Sequence, residues 1–141
     1  MIRQINLTHF RNHVATKIPG LGAINIFIGP NGAGKSSILD AIGYLLTGVC
    51  RGVDEGGRGA EALNCQIESI GKAIASVEFL TDRGPFLRAV GQGPRSEAHR
   101  RIVKQTGIDE RIMRVLAAPI NLLDLERRKQ VEFLADGGSL L

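Results

Sequence analysis

Eight residues constrain this chain more than any others: Gly29-Pro30-Asn31-Gly32-Ala33-Gly34-Lys35-Ser36. They have the spacing G-x-x-x-x-G-K-[ST]. A short apolar run, Ala23 to Ile28, interrupted once by Asn25, leads into them, and a strongly apolar helical pattern follows. Strand, glycine-rich turn and helix in that order make a cradle for phosphate. Gly29, Gly32 and Gly34 permit torsions that a Cβ would forbid and let backbone amides come close to an anion. Successive N–H groups in such a turn form an anion-binding nest. The helix that starts here adds free N–H groups and the positive end of its dipole.

The expected ligand is a nucleotide, ATP with Mg²⁺, and the expected class is a P-loop NTPase. The loop amides of Asn31, Gly32, Ala33 and Gly34 would line the phosphates. Lys35 would reach the β- and γ-phosphates as a mobile point charge, and the Ser36 hydroxyl would sit on Mg²⁺. Ser37, the next helical residue, is counted with the loop and given no separate role.

At 141 residues the chain suits one domain or part of a larger one. Aromatics are 4% of a sequence that is 43% hydrophobic, so the core must be mainly aliphatic. A net charge of +4 permits contact with nucleic acid without establishing it. Cys50 and Cys65 are too few for a disulfide framework and read as reduced thiols of a cytoplasmic protein. His9, His13 and His99 show no metal-ligand spacing. No secretory segment and no bilayer-length apolar run is apparent, so no membrane partner is expected.

In chain order, Ile2 to Leu7 alternates as a half-buried strand, with Ile5 and Leu7 on one face and Ile2 off phase. Residues 8–12 read as a turn. His13 to Ile18 reads as a second strand and Ala23 to Ile28 as a third. The helix after the loop carries Ile38, Ala41, Ile42, Leu45 and Leu46 as a stripe that would face a sheet, and Gly48 is its natural stop. Residues 48–59, rich in glycine and charge, read as a mobile surface loop, and 60–65 as one helical turn. Ala73 to Thr81 and Pro85 to Val90 read as a hairpin turning at Asp82-Arg83-Gly84. Ser96 could cap a helix over Glu97–Thr106 that Gly107 ends. Asp109 and Asp124 could cap two more, over 110–117 and 125–135. The expected division is a nucleotide-binding lobe over 1–95 and a helical segment over 96–141.

Four features now resemble one known family, the N-terminal half of SMC-like ATPase heads, including the RecF and SbcC types of DNA-repair ATPase. They are the strand ending in Leu7-Thr8-His9-Phe10-Arg11-Asn12, and the loop Gly29 to Ser37. The other two are the helix continuation Ile38-Leu39-Asp40-Ala41-Ile42 with its end at Leu46-Thr47-Gly48, and Arg58-Gly59-Ala60-Glu61-Ala62-Leu63 before a hairpin that carries Phe86-Leu87-Arg88. The resemblance covers roughly 1–90 well and the helical tail more loosely. It implies an α/β fold: the N-terminal lobe of an ABC/SMC-type head, with mixed antiparallel strands and a helical C-terminal segment. It also implies a place for Arg11 near the phosphates.

The same resemblance implies ATP-driven pairing of two heads, work in DNA repair, recombination or chromosome maintenance, and DNA in the complete assembly. Its further implied partners are a C-terminal half of the head, a second head and a nuclease. The family's Q-loop glutamine should fall near 116–121, where this sequence has Asn121 as a weak substitute for a Mg²⁺ contact. No catalytic residue is assigned within the chain. An apolar strand ending in Asp-Glu would supply a second metal carboxylate and a water-orienting group. The nearest run, 120–126, is broken by Asn121, and Asp124 is better explained as a helix cap. The expectation is a head fragment, or one half of a split ATPase, that hydrolyses almost nothing alone. A small P-loop kinase using Asp124, and a nucleotide-binding module without turnover, remain as alternatives.

Overall fold

Residues 1–53, 57–65, 73–93 and 96–107 are described by the computed structural model of the chain. Four strands form one antiparallel sheet: β1 (Ile2–Phe10), β2 (His13–Ile18), β3 (Ser76–Thr81) and β4 (Gly84–Ala89), in the order β2-β1-β3-β4. Helices α1 (Lys35–Thr47) and α2 (Glu97–Thr106) complete the described core, with a single 3₁₀ turn at Ala60–Leu63. The expected α/β lobe with antiparallel strands and a following helix is therefore present. The further helices expected over 110–117 and 125–135 lie outside the described residues, as do Asn121 and Asp124.

One face of the sheet is dry and the other wet, as antiparallel sheets allow. Ile5 pairs with Phe79 and Phe79 with Phe86; Leu7 pairs with Val77 and Val77 with Arg88. All six side chains are buried. On the other face a polar ladder runs from Gln4 Nε2 to Asn6 Oδ1 and from Asn6 Nδ2 to Glu78 Oε2, each 2.7 Å. The phase break at Ile2 has a local cause. Between Ile2 and Gln4 the register against β3 shifts by one residue, so Arg3 is the extra residue of a bulge and Ile2 turns toward the core.

β1 runs further than the alternation predicts, through the expected turn to Phe10. His9 (φ 50°) and Arg11 (φ 51°) adopt left-handed backbone, unusual for side chains other than glycine. Their peptides bond across to the 3₁₀ segment: Cys65 N–H donates to His9 O at 2.7 Å, and Arg11 N–H to Leu63 O at 2.6 Å. This twist turns Phe10 fully into the core, its ring 6.3 Å from that of Tyr44.

α1 lies on the dry face. Its buried stripe is Ser37, Ile38, Ala41, Tyr44 and Leu45, and Gly43 and Thr47 are also buried. That stripe is rotated from the expected one: Ile42 and Leu46 are only half-buried, and Tyr44 occupies the centre. A fully buried large side chain contributes about 1.5–3 kcal/mol, so Tyr44 is a main anchor of the helix. Its hydroxyl accepts from Gly91 N–H at 3.1 Å and donates to Ala89 O at 3.4 Å. Gly48, with φ 77°, ends α1 as expected, its N–H on Tyr44 O.

Two expectations need correction. Residues 23–28 form no strand with the described residues, and Ile24, Ile26 and Ile28 are 88%, 80% and 91% exposed. Their alternation is real, but no described strand lies beside them to receive it. Phe27, half-buried, is the residue that packs inward. The segment after α1 is also no simple surface loop. Cys50 and Val53 are buried in the core and pair through an isolated bridge, with Val53 N–H donating to Cys50 O at 2.9 Å.

Candidate phosphate site

The loop from Gly29 to Gly34 meets the first turn of α1 with left-handed backbone at Gly32 (φ 82°) and Gly34 (φ 90°). Gly34 is the N-cap, and α1 has neither a side-chain cap hydrogen bond nor an acidic residue in its first turn. The contrast with α2 is direct. There Ser96 Oγ accepts from His99 N–H at 3.2 Å and Glu97 sits in the first turn. The free amides and positive dipole end of α1 are thus left for an external anion. Lys35 supports the same fit. Its Nζ donates to the carbonyls of Gly29 and Pro30, both at 2.6 Å, so the ammonium is folded back onto loop oxygens that phosphate oxygens could replace.

The expected ligand-binding residues fall into three groups. Asn31, Gly32, Ala33 and Ser36 line the loop and the mouth of the helix, with Gly34 beneath them and Lys35 folded across. Ser36 is exposed in the first turn of α1. Ser37 points the other way: it is buried and donates to Asn12 Oδ1 at 2.9 Å. Arg11 is held on α1 by Asp40, with Nε 3.2 Å from Oδ2, and its terminal nitrogen donates to Arg51 O at 2.6 Å. Asp40 also receives Arg51 at 3.0 Å. Burial and the Asp40 charge push the neighbouring Cys50 thiol up to about 11.

Sequence reasoning passed over two residues beside the loop. Asn12 Nδ2 donates to Gly32 O at 3.1 Å, and His13 Nε2 lies 3.1 Å from Gly34 O. Their signal was adjacency to Arg11 in the β1–β2 turn. Arg88, given no role from the sequence beyond its part in the resemblance, is wholly buried. Its Nε donates to Leu45 O at 2.8 Å, one terminal nitrogen to Gln92 O at 2.6 Å and Gly93 O at 3.2 Å, and the other to His99 Nδ1 at 2.9 Å. Arginine can only donate, so His99 Nδ1 is the acceptor. Among the described residues no helix is long and apolar enough to cross a membrane.

Residues 4–133 match the family described as AAA domain. A DNA double-strand break repair Rad50 ATPase of Sulfurisphaera tokodaii is 48% identical over 46 residues, 33% of this chain and 5% of that protein. A DNA replication and repair protein RecF of Acinetobacter baylyi is 47% identical over 47 residues, 33% of this chain and 13% of that protein. The matched stretches are therefore small parts of much longer relatives. A solved structure from work on ATP-driven dimerization and DNA-stimulated activation of SMC ATPases superposes with a TM-score of 0.53. It is 16% identical and covers 98% of this chain and 99% of that one. The fold is shared with that SMC ATPase chain, and the sequence resemblance to SMC-like and RecF-type heads stands.

Proposed function

The chain belongs to the AAA domain family, and from that premise we propose that it is the ATP-binding lobe of an SMC-like ATPase head acting on DNA. The observation that carries this reading is the uncapped start of α1 beneath Gly32 and Gly34, with Lys35 folded over the loop. Loop amides and Lys35 hold the phosphates, Ser36 holds Mg²⁺, and Arg11 joins them by exchanging Asp40 for a phosphate oxygen. Bound Mg²⁺ would neutralise phosphate charge that the loop alone cannot offset. Residues 1–95 act as this lobe, and the segment from 96 onward as its helical continuation.

The lobe is one wall of a composite site. Three alternating isoleucines, at 24, 26 and 28, face outward on the segment that leads into the loop. Such a row is the pattern of a strand that other strands cover. We assign that cover to a C-terminal half of the same head, which would also bring the water-activating carboxylate. Head pairing, DNA contact and repair work belong to the completed assembly.

The test mixes this chain with a candidate C-terminal half and measures ATP turnover with and without DNA. Turnover that needs both halves and rises with DNA is the expected result. Robust turnover by the chain alone, or unaided phosphorylation of a small metabolite, would sink the reading.

A further inference from the structure

The β1–β2 turn places consecutive side chains against the phosphate loop. The Asn12 amide spans two elements, donating from Nδ2 to Gly32 O (3.1 Å) and accepting at Oδ1 from Ser37 Oγ (2.9 Å). His13 is buried, with Nε2 3.1 Å from Gly34 O and Nδ1 2.9 Å from Thr16 Oγ1. A carbonyl can only accept, so Nε2 carries the proton. In the neutral ring Nδ1 then accepts a hydrogen bond from the Thr16 hydroxyl. The fit is close: a Cβ on Gly34 would lie 2.5 Å from His13 Nε2 and 2.9 Å from Asn12 Nδ2.

These contacts bear on the loop's chemistry. A backbone nest turns its N–H groups inward to the anion and its carbonyls outward. In a trans peptide the carbonyl of one residue and the N–H of the next point in opposite directions. Gly34 O accepts both from His13 and, in the first helical bond, from Ile38 N–H at 3.1 Å, so the Lys35 N–H points out of the start of α1. Holding Gly32 O likewise fixes the peptide plane that carries the Ala33 N–H, which here donates to Pro30 O at 3.3 Å.

We propose that Asn12 and His13 are positioning residues for the phosphate loop. They fix the peptide plane between residues 34 and 35 in the orientation that receives a nucleotide, and hold beside it the plane between 32 and 33, whose N–H rests on Pro30 O. Through them the β1–β2 turn, which also carries Arg11, responds to occupancy of the loop. This rests on the reading of the loop as an ATP site.

The test is a calorimetric titration of the full chain with Mg-ATP, for wild type, Asn12→Leu, His13→Phe, His13→Gln and Lys35→Ala, with the imidazole ¹⁵N signals of His13 followed in parallel. Loss of one such hydrogen bond should weaken ATP binding about tenfold in Asn12→Leu and in His13→Phe. His13→Gln keeps an N–H donor and should stay within about threefold of wild type. The His13 signals should move on ATP addition. Wild-type affinity in both Asn12→Leu and His13→Phe overturns the proposal, as does a His13→Gln loss equal to that of His13→Phe, which would make the position one of packing alone. Should His13→Phe fail to fold, the exposed Asn12 carries the test through Asn12→Leu. If wild type binds ATP and Lys35→Ala does not, while Asn12→Leu and His13→Phe bind normally, only this proposal falls. If wild type binds no ATP, the nucleotide reading falls and this proposal with it.

Discussion

Arg88 on β4 donates from Nε to the carbonyl of Leu45 on α1, 2.8 Å away and fully buried. The same guanidinium holds the carbonyls of Gln92 and Gly93 and the ring of His99, and it lies 5.9 Å from the centre of the Tyr44 ring. One cation thus joins the sheet, the phosphate-loop helix and α2. Burial pulls its pKa down to about 10, which still leaves it charged at neutral pH. Arg88→Met would leave three carbonyls short of a donor and should cost about 3 kcal/mol or more, read by urea unfolding. Arg88→Lys cannot reproduce the planar fork and should cost about 2 kcal/mol. Wild-type stability in either variant contradicts this account.

Gly34 is required twice over, by φ 90° and by the approach of His13. Gly34→Ala should destabilise the chain by about 2 kcal/mol and remove ATP binding. Gly20 is the control: it has φ 71°, but a Cβ placed there would meet nothing within 4 Å. Gly20→Ala should cost about 1 kcal/mol and leave ATP affinity unchanged. Titration of both variants with Mg-ATP, beside their urea unfolding curves, checks the pair.

The Cys50 thiol, raised from 9.0 to about 11, makes stability fall in alkali. Between these values the unfolded chain loses the thiol proton while the folded chain keeps it, so the unfolded state binds fewer protons and stability declines as pH rises. The contribution is fully present below pH 9 and gone above about 11. Urea unfolding of wild type and Cys50→Ala across that window should show a steeper decline in wild type. Parallel curves would contradict it. At a pH of about 8 the same thiol should react slowly with a disulfide reagent.

The isoleucine row predicts a separation of stability from assembly. Ile24→Lys with Ile28→Lys changes two exposed side chains and should move unfolding by no more than about 0.5 kcal/mol each. The same pair should reduce self-association in light scattering and block productive mixing with a C-terminal half. Full complementation by the double variant would remove the isoleucines from that interface.

Much of this architecture was legible where a local rule had no competitor. Ser96 and Gly107 bound α2 at the expected residues, and Gly48 ends α1. The hairpin turns at Asp82 and Arg83, and the off-phase Ile2 marks a bulge. Misreadings came where partners decide. The strand pattern at 23–28 presupposes neighbours that the described residues do not supply. Cys50 and Val53 looked like loop residues because glycines and charges surround them. Arg88 was hidden by its charge, although alternation from Phe86 places it on the inner face. In the candidate site the loop glycines and Lys35 were readable from spacing. Asn12 and His13 were not, since their role depends on a turn meeting a loop that lies well further along the chain.

The most direct test of the central claim is a calorimetric titration of the wild-type chain and Lys35→Ala with Mg-ATP. Saturable binding to wild type, lost in Lys35→Ala with the fold intact by circular dichroism, is the predicted result. Absence of binding by wild type, or equal binding by the two proteins, would contradict the assignment of the Gly29–Ser36 loop as a nucleotide site.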